Sequence, residues 1–362
     1  MVKNKIKIIM LSFTVFIMLL AKSLTAFTVI EESITESLTP DIVVAKDSSG
    51  DYSTIQDALA SVPKGNSSLF IILVKNGLYE EKILIDKDRV LLMGESKEKT
   101  KIIYAEQAWV WQCKNDPSNP LPAVVNVTGN DCTIMNMTIK NNYGELYFDK
   151  PLPELDCNID RYENRVKPNG HQYAFLLEEQ ATRLTVLNCN FLAAGSDTFC
   201  PWNEETGMYY IKDTYFEGYT DFVCPRGDCY ITDSRFFSKG GSATLWHDGS
   251  VSKDKKFVVN NSRFEGIDDF KLGRYGRDAQ IIVMNSSFAS NIADKNIYQV
   301  KQNVLWGHRI FFYNCTRDEG NYSWMNDNLQ IDPSSLTPIN IFSRKWDPEK
   351  FISDNNLLLH YN

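Results

Sequence analysis

The sequence predicts an all-β protein, a right-handed parallel β-helix that winds as a single-stranded solenoid behind one short N-terminal capping helix. Three observations favour this fold class. Short runs rich in β-branched and aromatic residues recur from residue 69 onwards. Helical periodicity is nearly absent after residue 63. The strand-like runs also repeat about every 24 residues, which is typical of a coiled chain and is not explained by an antiparallel sandwich.

The repeat is a strand, an Asn or Asp, two further residues and usually an apolar residue. Asn and Asp hydrogen-bond to nearby backbone and tolerate left-handed dihedral angles, so they are typical of a bend. The Phe residues that close most units are predicted to stack as a column inside the coil. The bend positions are Asn136, Asn188, Asp213, Asp233, Asn261, Asn285 and Asn314, and the column positions are Phe191, Phe216, Phe236, Phe264 and Phe288.

A helix is predicted at the start of the coil, over Ser53–Val62. We expect Ser53 to be its N-cap and Gln56 to complete a capping box, and Pro63 stops the pattern. The helix is short and amphipathic, which suits it to closing the end of a coil.

Residues 1–26 are predicted to be a secretory signal peptide. Three lysines begin the chain, an apolar run of fourteen residues follows over Ile8–Ala21, and small residues end the segment at Ala26. An uncleaved anchor is the alternative, although this run is short for a membrane span. We expect residues 27–40 to be a flexible leader and residues 41–362 to be a single β-helix domain. The mature protein is expected to be secreted, to the medium, the cell surface or the periplasm, without membrane insertion.

The net charge of −8 argues against nucleic acid and anionic membranes as partners. The chain has eight cysteines but no CxxC pair, and only four histidines, so we predict no metal site and no cofactor. Cys200 and Cys224 are within disulfide reach if the turns stack, Cys224 with Cys229 is the rival pair, and buried free thiols are the third possibility. A monomer is expected.

Two insertions interrupt the repeat, at Ala108–Pro122 and Tyr143–Gly170, and both are rich in Asn, Pro and charged residues. On a β-helix, insertions of this kind are loops that wall a groove. We therefore expect them beside a binding site.

Asp197 and Asp221 are 24 residues apart, and a Cys-Pro pair follows each at the same offset. Equivalent positions on successive turns of a parallel coil stack at roughly 4.8 Å. Two carboxylates at that distance cannot both ionise cheaply, so their pKa values separate into those of an acid and of a base or nucleophile. The spacing thus predicts a catalytic pair.

Five short motifs, in this order and spacing, resemble the pectin methylesterases (pectinesterases), secreted β-helical carbohydrate esterases. They are Gly50–Ala58 (GDYSTIQDA), Gly77–Glu81 (GLYEE), Gly170–Gln172 (GHQ), Thr220–Val223 (TDFV) and Leu272–Arg274 (LGR). The resemblance runs from about Val43 to about Phe288 and continues more weakly to about Asn328.

This resemblance implies a role for each of four residues. Asp221 would be the nucleophile that attacks a galacturonate methyl ester, and Asp197 the general acid and then the base. Gln172 would donate to the oxyanion. Arg274 would hold Asp221, and we expect the guanidinium to lower the pKa of that carboxyl.

The chain departs from the family pattern at several positions. Serine (Ser196) stands where the family has Gln before the acid aspartate, and Tyr275-Gly276 stands where it has Pro-Trp. Trp202, Trp246 and Trp306 are candidate replacements for the missing Trp as platforms for a sugar, with ordinary core packing as the alternative for each. The expected substrate contacts are Ser196, Phe222, Trp202, Trp246 and Tyr275.

The leading hypothesis is therefore hydrolysis of methyl esters in pectin (homogalacturonan) to pectate and methanol. One alternative is a catalytically inactive pectin-binding β-helix protein, which Ser196 and Gly276 favour. A second is a β-helix enzyme that depolymerises pectin, but the motif set of such enzymes is missing. A third is an esterase that acts on a small acyl substrate, which would fit if the insertions close the groove.

Overall fold

Parallel strands wind into a coil with three faces, which we call sheets A, B and C. In the computed structural model, the described residues are 38–115, 121–148, 150, 170–247, 252–300 and 304–361. The predicted signal peptide and residues 27–37 of the predicted leader lie outside them. Strands that are neighbours in a sheet come from successive turns of the chain and pair in parallel. This topology confirms the predicted parallel β-helix.

Sheet A is the longest face. Its ten strands are Ile42–Val44, Phe70–Val74, Val90–Gly94, Thr133–Met135, Leu184–Leu187, Met208–Lys212, Asp228–Thr232, Phe257–Asn260, Gln280–Met284 and Arg309–Tyr313. Sheet B comprises Gly77–Tyr79, Thr100–Tyr104, Thr138–Asn141, Asn190–Ala193, Tyr215–Gly218, Arg235–Ser238, Arg263–Gly266, Ser287–Phe288 and Thr316–Arg317.

Sheet C is interrupted in its middle. Its first four strands are Ile83–Ile85, Val125–Val127, Phe175–Leu177 and Phe199–Pro201, and its last three are Ala243–His247, Lys271–Tyr275 and Tyr298–Gln299. Between the two parts, Val223 forms single bridges to Phe199 and Leu245 in place of a regular strand. The turn that contains Asp221 is therefore the least regular part of this face.

The helices lie outside the coil or at its ends. They are α1 (Ile55–Ser61), α2 (Ala108–Lys114), α3 (Tyr143–Tyr147), α4 (Pro338–Ile341) and α5 (Pro348–Asp354), with 3₁₀ turns at Ser323–Met325, Pro333–Ser335 and Leu357–His360. None of the helices in the described residues is both long enough and apolar enough to span a bilayer.

The bend prediction is confirmed at all seven Asn and Asp positions, where φ lies between 44° and 54°. Several of these side chains also bond to one another between turns. Asn188 Nδ2 donates to Asn136 Oδ1 at 2.9 Å, and Asn314 Nδ2 donates to Asn285 Oδ1 at 2.8 Å. We call this row of seven residues the bend ladder.

The predicted aromatic column is also confirmed. From Phe191 to Phe288, the successive ring centroids are 5.8, 5.2, 4.5 and 5.4 Å apart. All five rings are fully buried. Their burial and stacking make the column a large part of the hydrophobic core, because each Phe or Trp truncated to Ala in a core typically costs about 3–5 kcal/mol.

The capping helix is present, but its N-terminus differs from the prediction. Thr54, not Ser53, is the N-cap. The Glu81 carboxylate accepts hydrogen bonds from the first two backbone N–H groups of α1, at 2.9 and 3.1 Å. Gln56 forms no capping box, since its Oε1 accepts from the Leu84 backbone at 2.7 Å. A residue 26 positions away thus does part of the capping, which a local pattern does not reveal.

Each predicted insertion contains a short helix, α2 in the first and α3 in the second, where we expected loops. Both helices are tied to the segment that precedes the third strand of sheet C. The N–H of Ala108 donates to the His171 carbonyl at 2.9 Å, and the N–H of Gly144 donates to Gln172 Oε1 at 2.9 Å. These two short helices therefore lie beside the candidate site. Residues 116–120, 149 and 151–169 are outside the described part of the chain.

Candidate active site

Asp197 and Asp221 occupy equivalent positions on adjacent turns. Each stands two residues before a member of the Phe199–Val223 bridge, and the N–H of Asp197 donates to the Thr220 carbonyl at 3.1 Å. Both aspartates have left-handed backbone dihedrals, with φ of 61° and 50°. Non-glycine residues in this region cost of order 1 kcal/mol or more and cluster at functional sites. The stacking that the 24-residue spacing predicts is thus present.

Arg274 reaches back from the strand Lys271–Tyr275 to hold Asp221. Its Nε lies 3.0 Å from Asp221 Oδ1, and its Nη2 lies 2.5 Å from Oδ2. This is the two-pronged arrangement in which a guanidinium both charges and orients a carboxylate. The predicted partnership of these two residues is therefore formed in the structure.

Burial outweighs the guanidinium in setting the proton affinity of Asp221. The residue is only 7% exposed, and its pKa is raised to about 6 by burial, with the Asp197 charge adding to the rise and Arg274 opposing it. This corrects our expectation that Arg274 leaves Asp221 with a lowered pKa. Near pH 7 the carboxyl is still mostly ionised, as a nucleophile must be.

Asp197 has a different partner, which sequence reasoning missed. His171 Nδ1 lies 3.4 Å from Asp197 Oδ2, and the Asp197 side chain is 18% exposed. The same nitrogen lies 3.2 Å from the Tyr173 hydroxyl. His171 stands inside one of the five motifs, directly before Gln172, and that position was the only signal available.

Gln172 and Ser196 lie beside the pair, but both are buried. Gln172 has no exposed surface, and its Nε2 points towards the Ala194 carbonyl at 3.5 Å. Ser196 is 8% exposed and forms a backbone bridge with His171. Gln172 is therefore close to the pair, although its amide nitrogen faces backbone in this structure.

The prediction that Phe222 and Tyr275 contact the sugar was wrong, because both side chains are buried. Phe222 is fully buried and Tyr275 is 1% exposed, and both belong to the hydrophobic core. Each directly follows a site residue, Asp221 or Arg274, and successive side chains of an extended chain point to opposite faces. We therefore remove both from the expected substrate contacts.

The two tryptophans keep partly exposed rings. The Arg274 guanidinium lies 5.2 Å from the Trp246 ring centroid, so Trp246 adjoins the Asp221 side of the site. Trp202 packs edge-on against Tyr173, with ring centroids 5.5 Å apart, and the Arg226 guanidinium lies 5.1 Å from the Trp202 ring centroid. Both tryptophans remain candidate sugar contacts.

A disulfide joins Cys200 to Cys224, with a Cα–Cα distance of 4.9 Å. Each cysteine lies three residues after one of the aspartates, and Cys229 of the rival pairing is a buried free thiol. Asp197 is close enough to both sulfur atoms to suggest a metal-binding group. The disulfide removes the two thiolates that such a group requires.

This chain is thus a parallel β-helix protein with paired carboxylates on one face, one of which is held by an arginine. The family model described as pectinesterase matches residues 41–147, which confirms the resemblance seen in the motifs.

Two curated relatives from Arabidopsis thaliana illustrate the match. A "Probable pectinesterase/pectinesterase inhibitor 13" is 25% identical over 276 residues, which cover 72% of this chain and 40% of the relative. A "Probable pectinesterase 67" is 24% identical over 242 residues, covering 64% and 61%. The chain therefore spans less than two thirds of either relative.

Among solved structures, a pectin methylesterase in complex with a hexasaccharide superimposes with a TM-score of 0.68 and 20% identity, covering 86% of this chain and 99% of that chain. At this identity the match demonstrates a shared fold.

Proposed function

We propose that this protein hydrolyses methyl esters of pectin, releasing methanol and leaving galacturonate. The observation that carries the proposal is the pair of aspartates on adjacent turns, with Arg274 bound to both oxygens of Asp221. The pair supplies one ionised carboxylate that is oriented for attack and a second carboxyl on the next turn for proton transfer. A substrate masked as an ester is also compatible with a protein of net charge −8.

In the first step, an Asp221 oxygen attacks the ester carbonyl carbon. The bond from that carbon to the methoxy oxygen breaks, and the Asp197 carboxyl gives its proton to the departing oxygen, so that methanol leaves. The galacturonyl group is then joined to Asp221 as an anhydride. Arg274 assists by fixing the direction of attack, since a carboxylate is a weak nucleophile that depends on its positioning.

In the second step, the Asp197 carboxylate takes a proton from water, and the resulting hydroxide attacks the galacturonyl carbon. The anhydride bond breaks, which returns Asp221 as a carboxylate and releases the sugar acid. Both residues are then in their starting states, because Asp197 has regained its proton.

Negative charge develops on the carbonyl oxygen in both steps, and we assign Gln172 as its donor. Its Oε1 is anchored by the N–H of Gly144, so the amide is already oriented. The long 3.5 Å contact from Nε2 to Ala194 is weak and is exchanged for the substrate oxygen. Removing one oxyanion donor typically costs about 3–4 kcal/mol of transition-state stabilisation.

The proposal includes the partner and the location. Pectin lies along the groove beside Trp246, whose partly exposed ring suits the C–H face of a sugar. The protein is secreted and works as a monomer; the basic start and apolar run of residues 1–26 support the secretion.

The test is methanol release from highly methylated pectin by the mature protein, Asp197→Asn and Asp221→Asn. Asp269→Asn is the matched control, since Asp269 is also left-handed (φ 62°) on the same coil but is exposed. We expect both site variants to lose at least about 10³-fold in kcat, while the control keeps its activity. Circular dichroism verifies that each variant folds.

Three outcomes contradict the proposal. If the folded protein binds pectin without releasing methanol, it is the catalytically inactive pectin-binding protein of the first alternative. New reducing ends without methanol identify a depolymerising enzyme. Full activity in Asp221→Asn excludes this aspartate as the nucleophile.

A further inference from the structure

We infer that His171 is a positioning residue for Asp197, donating a hydrogen bond from Nδ1 to its carboxylate and so tuning the acid and base of the proposed reaction. This inference rests on the proposed function. The chain departs from the family pattern at this place, because the short side chain of Ser196 stands directly before Asp197 where the family has Gln. The inference assigns His171 as the polar partner of Asp197 there.

The backbone fixes His171 beside Asp197. His171 pairs with Ser196 in a parallel bridge, so it lies on the turn next to the aspartate. Its carbonyl accepts a hydrogen bond from the N–H of Ala108 at the start of α2. The Trp109 ring, also from α2, packs at 5.7 Å between centroids. The imidazole is thus held between an insertion and the coil, which restricts its rotation.

Two groups compete for the Nδ1 atom. Asp197 Oδ2 lies at 3.4 Å and the Tyr173 hydroxyl at 3.2 Å. If Nδ1 carries hydrogen, it donates to the carboxylate; if it does not, it accepts from the tyrosine. Hydrogen bonds to an ionised acceptor are roughly twice as strong as neutral ones. The carboxylate therefore selects the Nδ1–H tautomer, and the tyrosine oxygen borders the ring on its buried side.

The consequence is chemical as well as structural. A donor to a carboxylate favours its ionised form, so His171 makes Asp197 a better acid towards the leaving methoxy oxygen. The other charged or titratable groups that act on this pair are Asp221 and Arg274 from the following turns and Tyr173, two residues after His171. The charge of Asp221 opposes ionisation of Asp197, and the charge of Arg274 favours it. The hydrogen bond from His171 adds to the effect of Arg274 on the protonation equilibrium of Asp197.

Kinetics test the inference with three variants. His171→Phe keeps a ring but has no donor, His171→Asn keeps an N–H near the position of Nδ1, and Tyr173→Phe removes only the competing hydroxyl. We expect His171→Phe to lose roughly ten- to hundredfold in kcat, the range of a hydrogen bond to a charged group. We also expect the basic limb of its pH–rate profile to move to higher pH, because Asp197 then loses its proton less readily. His171→Asn is expected to stay within about threefold of the wild type.

A merely structural role predicts a different pattern. Reduced activity in His171→Phe with an unmoved basic limb overturns the inference, and so does a loss in Tyr173→Phe equal to that in His171→Phe.

A second measurement does not depend on activity. The chain has four histidines, so ¹⁵N correlation spectra are simple, and the signal absent from His171→Phe identifies residue 171. We expect Nδ1 to carry the hydrogen in the wild type, and the tautomer to change in Asp197→Asn. An Nε2–H tautomer that responds to Tyr173→Phe instead overturns the inference. Absence of methanol release with the expected spectra rejects the proposed function alone.

Discussion

Two rows of left-handed residues run along this coil, and they differ in what their side chains do. In the bend ladder, Asn314 donates to Asn285 and Asn188 donates to Asn136, so amide groups link successive turns. On sheet C, the same backbone conformation presents Asp197 and Asp221. His171 contacts the Asp197 carboxylate, and Arg274 holds the Asp221 carboxylate.

The difference lies in the hydrogen-bonding capacity of an amide and of a carboxylate. An amide has both donors and acceptors, so stacked Asn side chains satisfy each other. Ionised carboxylates only accept, so a stacked pair repels and needs cations or donors from elsewhere. The same backbone conformation, an Asn or Asp in a left-handed bend, thus links successive turns in one row and presents the two carboxylates of the proposed active site in the other.

Breaking the Arg274–Asp221 pair gives the largest expected effect. Arg274→Gln leaves a buried carboxyl without its cation, a situation that costs about 3–5 kcal/mol if the group stays ionised. Asp221 takes up a proton instead, so we expect methanol release near pH 7 to fall by at least about 10²-fold. The acid limb of the pH–rate profile should also move to higher pH. An unchanged acid limb would show that Arg274 does not control the ionisation of Asp221.

Acidification alone gives the next largest effect. Because the pKa of Asp221 is raised to about 6, its ionised fraction, and with it kcat/KM, should fall about tenfold per pH unit below that value. The free energy of unfolding depends on pH in the opposite direction from the activity. Between about pH 4 and 6 the folded state binds more protons than the unfolded state, so this group makes the protein less stable as the pH rises.

Chemical denaturation at several pH values, on the wild type and Asp221→Asn, measures that contribution. The asparagine variant should lose this component of the pH dependence. If both proteins respond identically to pH between about 4 and 6, Asp221 does not carry the raised pKa.

The smallest expected effect belongs to the ladder. Asn285→Ala removes side-chain bonds to Asn260 and Asn314 and places alanine at φ 50°. The exposed site limits the loss in the free energy of unfolding to about 1–2 kcal/mol. Asn285→Gly separates the two causes, since glycine tolerates this φ and loses only the hydrogen bonds. Methanol release per folded molecule should not change in either variant; a large loss of activity would make the ladder part of the catalytic apparatus.

Sequence reasoning succeeded where a residue repeats with the coil. The Asn and Asp bends and the Phe column recur once per turn, so their stacking follows from the period alone. The Asp197–Asp221 pair was predictable for the same reason. Arg274 was predictable because it stands in one of the five motifs.

It failed where a contact depends on direction or on a distant residue. Phe222 and Tyr275 stand in site motifs, but alternation along an extended chain turns them inward. Glu81 caps α1 from 26 positions away. His171 faces Asp197 because their turns are adjacent, and its place in the motif directly before Gln172 does not reveal that contact.

The Cys200–Cys224 disulfide has a consequence under mechanical load. Its sequence separation of 24 residues is one turn of the coil, so the bond closes a covalent ring around the turn that contains Asp221. When the chain is pulled from its two ends, the disulfide prevents the residues between Cys200 and Cys224 from being extended. These residues would otherwise add roughly 80 Å to the length of the stretched chain. Pulling on the two ends of the chain is therefore expected to unravel the turns on either side of the ring, while the two aspartates stay linked by one short covalent path.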